Sequence, residues 1–253
     1  MAALYQQLTA IAPKDLAWYQ SFFVKFYRAF LFADRWKLYL RGLEQTLILT
    51  VLALILGVIL GLLVGVIRTA HAQQRPGKHN LILGFLNILC KIYTTVIRGT
   101  PMVVQFLIMG MVVFSSSRNK TMVGALALGI NSGAYVAEII RGGLMGVDVG
   151  QPEAGRSLGL NYVDTMRFIV IPQAFKNILP ALGNEFIILF KDTSLISVIG
   201  GKELLYFAQA IITNTYDPMM PYLGAAFLYL VICIILTWLQ GKLERRLRQS
   251  DRR

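Results

Sequence analysis

The sequence predicts an all-α membrane protein, a bundle of about five transmembrane helices, and three observations carry that expectation. Of its 253 residues 56% are hydrophobic and only 15% charged, with a mean hydropathy of +0.59, a balance too apolar for a soluble chain of this length. Five stretches approach the roughly 20 apolar residues that a helix needs to cross a hydrocarbon core of about 30 Å with its backbone groups paired internally. The net charge of +12 comes from basic residues between and after those stretches, not interleaved with aromatics on a polar surface. It therefore reports topology, not nucleic-acid binding.

In chain order, Trp18, Phe22, Phe26 and Phe30 recur every four residues beside Phe23 and Tyr27, while Gln20, Ser21, Lys25 and Arg28 fall elsewhere. This helical pattern fits two placements of residues 1–35, flat in the headgroup region or packed on the bundle as a sixth element. Nothing in the first 42 residues has the order of a cleaved signal peptide. The first span runs from Leu43 to Ile67, with Gly57, Gly61 and Gly65 forming a smooth stripe for a closely approaching helix of this chain or of a second copy. The second, Leu81 to Phe114, is broken by Pro101; the third, Met122 to Ile140, is rich in Gly and Ala. The fourth, Ile178 to Ile199, carries Glu185, Lys191 and Asp192, and the fifth runs from Tyr222 to Leu239 ahead of a basic tail. Cys90 and Cys233 lie far apart in apolar runs and predict no disulfide.

An odd number of spans puts the termini on opposite sides. With the C-terminus inside, 13 Lys and Arg are cytoplasmic and nine external, which favours an external N-terminus. The hydrophilic stretch from Gly150 to Pro172 is then a cytoplasmic loop. It reads as two short helices, the first opened by Pro152 and Glu153 and ended by Gly159, the second opened near Asp164 and stopped by Pro172. A loop with built-in helices is suited to docking on a partner.

The residues of that loop resemble bacterial ABC importers, whose permeases carry the pattern E-A-A, three residues, G, nine residues, I, any residue, L-P. Here stand Glu153-Ala154-Gly155, Gly159 and Ile169-Val170-Ile171-Pro172, with every spacing kept and conservative departures at Gly155 and Ile171. Arg98-Gly99-Thr100-Pro101, the run Asn131 to Gly143 and Lys191-Asp192-Thr193-Ser194-Leu195 narrow the resemblance to the polar amino acid permeases, the group serving histidine, glutamine, glutamate, arginine and opines. It covers roughly residues 36–248, leaving a short basic tail at 249–253. The resemblance implies the type I permease fold and a coupling helix seated on an ATPase dimer through Glu153, Ala154, Gly155 and Gly159. It also implies a second permease chain, identical or similar, an extracytoplasmic amino acid binding protein, and a place in the bacterial cytoplasmic membrane. No cofactor is expected on this chain; ATP and magnesium belong to the partner ATPase.

Charges inside spans are expensive and need a partner, a wet cavity or a function. Glu185 and Asp192 are seven apart, so on one helix they point to nearly the same side about 10 Å apart. They fit a solute path that holds ammonium or guanidinium groups, or a packing role neutralised by Lys191 or Arg98. The resemblance places Asn184 to Leu195, including Ser194, along the path. Arg98, beside the break at Pro101, fits a substrate carboxylate, an interfacial position or a pair with Glu138; Glu138 and Arg141, three apart, fit a structural pair. An enzymatic reading finds no phosphate loop and no H-E-x-x-H, and the two histidines, His71 and His79, both lie in the first cytoplasmic loop. An ion-coupled secondary transporter is the alternative from another class, and the coupling loop speaks against it.

Overall fold

The computed structural model describes residues 1–12, 15–74 and 80–249. Lys14, the loop residues Arg75 to His79 and the tail from Ser250 to Arg253, which enter the orientation expectation, lie outside them.

Helices account for nearly all of the described chain. Two short ones, α1 (Ala2–Thr9) and α2 (Trp18–Phe26), lead through a wide turn at Tyr27–Leu31 into α3 (Trp36–Ala72). After α4 (Leu81–Gly99) come α5 (Met102–Leu107), the wide turn Ile108–Val113 and α6 (Lys120–Met145). The loop helices are α7 (Gly150–Ser157) and α8 (Tyr162–Thr165); α9 (Ile171–Asp192), α10 (Leu204–Thr215) and α11 (Met219–Gln249) complete the chain. Four helices are long and apolar enough to cross a membrane, and a fifth crossing is formed if Tyr162–Ile199 and Leu204–Thr215, bent by 45°, make one span.

The helices overrun the apolar stretches that define them. The α3 helix starts seven residues before Leu43 and ends five after Ile67, because the polar residues at its ends, Lys37, Arg41, Arg68 and His71, all fit a helix without breaking the backbone ladder. Buried over most of its length, α6 is the centre of the bundle. The glycine stripe of α3 meets it within the same chain. A Cβ added at Gly57 would stand 2.7 Å from Ser132 Oγ, at Gly61 2.5 Å from Val136 Cγ1, and at Gly65 2.9 Å from the Ala137 carbonyl. At such separations only glycine fits, and the two helices touch backbone to backbone.

The break at Thr100–Pro101 leaves the last carbonyls of α4 without helical partners, and Gln105 turns back to supply them. Its Nε2 donates to the Ile97 carbonyl at 2.7 Å and to Thr100 Oγ1 at 2.8 Å, while its Oε1 accepts from Asn131 Nδ2 at 2.9 Å. At the other end of this segment Lys120 Nζ donates to the carbonyls of Gly110, Phe114 and Ser115. The break is closed from within, as a membrane interior requires.

Two elements differ from the sequence expectation, and the N-terminal segment, for which the sequence leaves two placements open, shows features of both. Pro172 does not stop the second loop helix: α8 passes through a wide turn at Met166–Val170 into α9, with Pro172 in the first turn of α9. The missing N–H costs little there, since the wider turn has already replaced the regular bonding pattern. The N-terminal segment packs on the bundle and also presents an outer face, with Phe30 stacked on Tyr39 at 5.2 Å while Trp18, Phe22 and Phe26 point away. The second differing element, α10, is too short to span and carries no long apolar run, yet it packs on the N-terminal part of α3, where Gly42 lies against the Leu204 backbone.

Candidate functional site

Two regions bear on function, the loop around α7 and the surface of α9. The loop helix ends in a complete left-handed cap. Gly159 has φ +84°, its N–H bonds the Arg156 carbonyl at 3.0 Å, and the Leu160 N–H bonds the Gly155 carbonyl at 3.1 Å. Asn161 then caps α8, its Oδ1 accepting from the Asp164 N–H at 2.9 Å. Glu153, Ala154 and Gly159 are exposed, and a Cβ at Gly159 would meet nothing within 4 Å. Around them Leu158, 83% exposed, and Val149, Tyr162, Val163 and Phe168 make an apolar surface without cover in this chain. Gly155 differs. It is buried, and a Cβ there would stand 2.8 Å from Ile169 Cδ1 and 3.2 Å from Thr165. The position braces α7 against the helix that follows instead of joining the offered surface. Tyr162 Oη donates to Gln73 Oε1 at 3.0 Å and Gln173 to Gln151 at 2.9 Å, tying the loop to α3 and α9.

On α9, Glu185 is 6% exposed and lies inside the bundle, accepting a hydrogen bond from Ser132 Oγ of α6 at 2.8 Å. Asp192 and Ser194 are half-buried; Asn184 and Lys191 are exposed. Asn177, Asn184 and Lys191, each seven residues apart, form a polar stripe on the outward face beside Ile188. Among the described residues neither Lys191 nor Arg98 forms an ion pair with Glu185 or Asp192. Arg98 instead stands 3.9 Å from Glu138 Oε1 and 5.3 Å over the Tyr135 ring. Arg141 pairs with the same carboxylate at 2.9 Å, and Arg68 of α3 joins it in close contact while also donating to Thr94 of α4 at 3.3 Å. Three helices are thus fastened on one carboxylate that faces three guanidinium groups.

Residues 57–249 match the family model for binding-protein-dependent transport system inner membrane components. The chain belongs to this family. Among curated relatives, this transport component is 38% identical over 189 residues to the arginine transport system permease protein ArtQ of Bacillus subtilis, 68% of this chain and 85% of that one. It is 39% identical over 166 residues to the glutamine transport system permease protein GlnP of Escherichia coli, 64% and 76% of the two chains. Among solved structures it superposes on an amino acid ABC transporter crystallised with histidines at a TM-score of 0.74 and 41% identity, covering 83% of this chain and 94% of that one. The methionine ABC transporter MetNI, at TM-score 0.69 but 18% identity, shares the fold, with 85% and 98% covered.

Within this inner membrane component the structure groups Glu153, Ala154 and Gly159 on one exposed surface and keeps Gly155 beneath it. The residues expected along the path do not converge within one chain: Glu185 is inside, Asn184 outside, and Arg98 is on α4 with Glu138. Sequence reasoning missed three polar positions. Arg68 looks like an ordinary loop-flanking cation, since its partner is 70 residues away. Gln105 follows a Pro break by four residues, a spacing that does signal a carbonyl partner. Glu203 heads the apolar run Leu204 to Ala208 in the position of an N-cap, but Glu is not one of the residues that signal a cap in sequence. It is 0% exposed, and its carboxylate accepts from the Leu205 and Tyr206 N–H groups and from Tyr229 Oη, each at 2.7 Å.

Proposed function

We propose that this protein is the membrane-spanning permease subunit of an ATP-driven uptake system for polar amino acids. The observation that carries the reading is the seating of α7, an exposed short helix closed by a left-handed glycine and braced through Gly155 on the helix that continues into α9. In this reading an ATPase dimer docks on Glu153, Ala154 and Gly159, binding ATP and magnesium itself, with Gly155 as support. A second permease chain, identical or similar, completes the path, and an extracytoplasmic binding protein delivers the amino acid. Residues 1–35 serve as an interfacial anchor, residues 36–248 as the transport domain and residues 249–253 as a basic cytoplasmic tail. The relatives' names supply the substrate class. The ion-coupled alternative loses its support because the family works with a binding protein. The test is reconstitution in proteoliposomes with the partner ATPase and binding protein: uptake should require ATP hydrolysis, and uptake driven by an ion gradient without ATP would overturn the reading.

We assign the path to α9 and the turn that follows it, with Asn184, Asp192, Ser194 and the buried Glu185, and to Arg98. Glu185→Gln is expected to weaken uptake by about 1.5 to 3 kcal/mol, the value of one hydrogen bond to a charged group. If the carboxylate holds a side chain, arginine and lysine lose more than glutamine; if it holds the α-ammonium, all lose alike. Normal rates and affinities in both Glu185→Gln and Asp192→Asn would remove the carboxylates from the path.

The chain is oriented with its N-terminus outside and its C-terminus in the cytoplasm. Cysteines placed at Gln7 and Ser250 should label from opposite faces with an impermeant maleimide. Labelling of Gln7→Cys from the cytoplasmic face alone reverses the orientation.

A further inference from the structure

The N-terminal segment and the connection between α10 and α11 enclose a cavity of about 730 Å³ that neither the path nor the loop uses. Sites for small ligands have volumes of roughly 300–1,000 Å³. One wall carries Tyr5, Lys25 and Arg28, the other Thr215, Asp217 and Met220. The family match begins at residue 57, so the first wall belongs to a part of this chain that the family pattern does not include.

The polar groups of this cavity are incompletely matched to one another. Asp217 Oδ1 accepts from the Met219 N–H at 3.2 Å and so opens α11. Its Oδ2 is shut off from solvent yet accepts no hydrogen bond. Lys25 Nζ stands 3.5 Å from it, with the two side chains 44% and 23% exposed. A pair that long, with its lysine half exposed, is weak, and a competing ammonium reaches Oδ2 by displacing Lys25 from it. Arg28, one helical turn beyond Lys25, pairs with no carboxylate among the described residues, and its backbone carbonyl accepts from Arg35 Nη1 at 2.6 Å. The cavity therefore offers a carboxylate held only by one long ion pair and a guanidinium without a carboxylate partner among the described residues.

We propose that this cavity binds a small zwitterion, with its ammonium on Asp217 Oδ2 and its anionic group on Arg28 and Lys25. Two sources carry that chemistry, a free α-amino acid and the phosphoethanolamine headgroup of a lipid. The outward face of Trp18, Phe22 and Phe26 beside the cavity brings the second within reach.

The experiment is calorimetric titration of the delipidated permease–ATPase complex with four probes: dihexanoyl phosphatidylethanolamine, dihexanoyl phosphatidylcholine, glutamine and N-trimethylated glutamine. The trimethylated members keep the anion but lack N–H donors. At least one ammonium probe should bind tenfold or more tightly than its trimethylated counterpart, and Asp217→Asn and Arg28→Gln should each weaken it at least tenfold with the basal ATPase rate unchanged. Preference for the lipid pair or for the glutamine pair identifies the source. Three results overturn the proposal: no probe binds; each trimethylated form binds as tightly as its parent; or binding survives Asp217→Asn but is lost in Glu185→Gln, which assigns it to the path instead. The comparison of probes on the unaltered complex stands even if a variant fails to fold.

Discussion

Gly159→Asp is expected to abolish ATP-coupled uptake while leaving a folded protein in the membrane. Two costs separate in this variant. The fold loses a bounded amount: a Cβ at residue 159 meets nothing within 4 Å, and although φ +84° strains any L side chain by about 1 to 2 kcal/mol, Asp is among the residues that tolerate it best. The cap bonds of Gly159 and Leu160 are made by backbone groups that the substitution keeps. The docking surface loses much, because a carboxylate is placed among exposed Leu158, Tyr162 and Val163, where a partner must exclude water. The measurements are uptake and substrate-stimulated ATP hydrolysis in proteoliposomes holding the partner subunits, with membrane yield as the folding control. Wild-type values for both would end the assignment of α7 as the coupling helix.

Glu203→Ala is expected to cost about 2 to 4 kcal/mol of stability. Losing the cap of α10 accounts for about 1 kcal/mol, and leaving the buried Tyr229 hydroxyl without its acceptor adds about 1 to 3. Glu203→Gln keeps an oxygen for the cap and should fall between. Because Glu203 and Tyr229 share one hydrogen bond at 2.7 Å, Glu203→Ala and Tyr229→Phe together should destabilise by less than the sum of their separate effects. Thermal unfolding in detergent, followed by intrinsic fluorescence, measures each. Additive losses would show that the hydroxyl and the carboxylate do not depend on one another.

What was legible in the sequence follows from the kind of interaction involved. The helical bundle shows in length and hydropathy, because lipid forces backbone groups to pair within a segment and so leaves long apolar runs in the text. The end of α7 shows in Gly159, and the first-turn position of Glu153 in the residues themselves, since capping is local. Pro172 misleads because a proline in a first turn and a proline that ends a helix look alike until the wide turn at Met166–Val170 is seen. The glycine stripe announces a close approach but not its partner; Ser132, Val136 and Ala137 are found only when α6 is placed. Glu185 and Asp192 do lie on one helix, yet burial of the first depends on Ser132, 53 residues earlier. Of the cluster on Glu138, Arg141 shows by its spacing and Arg98 as one of the partners its position allows; Arg68 stayed hidden, because it reaches the carboxylate from another helix and no spacing rule links them.

The unbroken run from Tyr162 through Asp192 has a mechanical meaning. At 1.5 Å per residue it is a rod of about 45 Å with the docking loop at one end and Lys191 at the other. Near its middle Ile178 sits in the notch that Gly143 leaves in α6. A rod held near its midpoint is a seesaw with almost equal arms, about 24 Å toward the loop and 20 Å toward Lys191. If α7 is pushed, the near arm turns about Ile178, and Pro180, the proline inside the helix just past that contact, is where the rod would bend before the far end moves. A larger residue at Gly143 would meet Ile178 at once, so it would shift this contact before it changed either end.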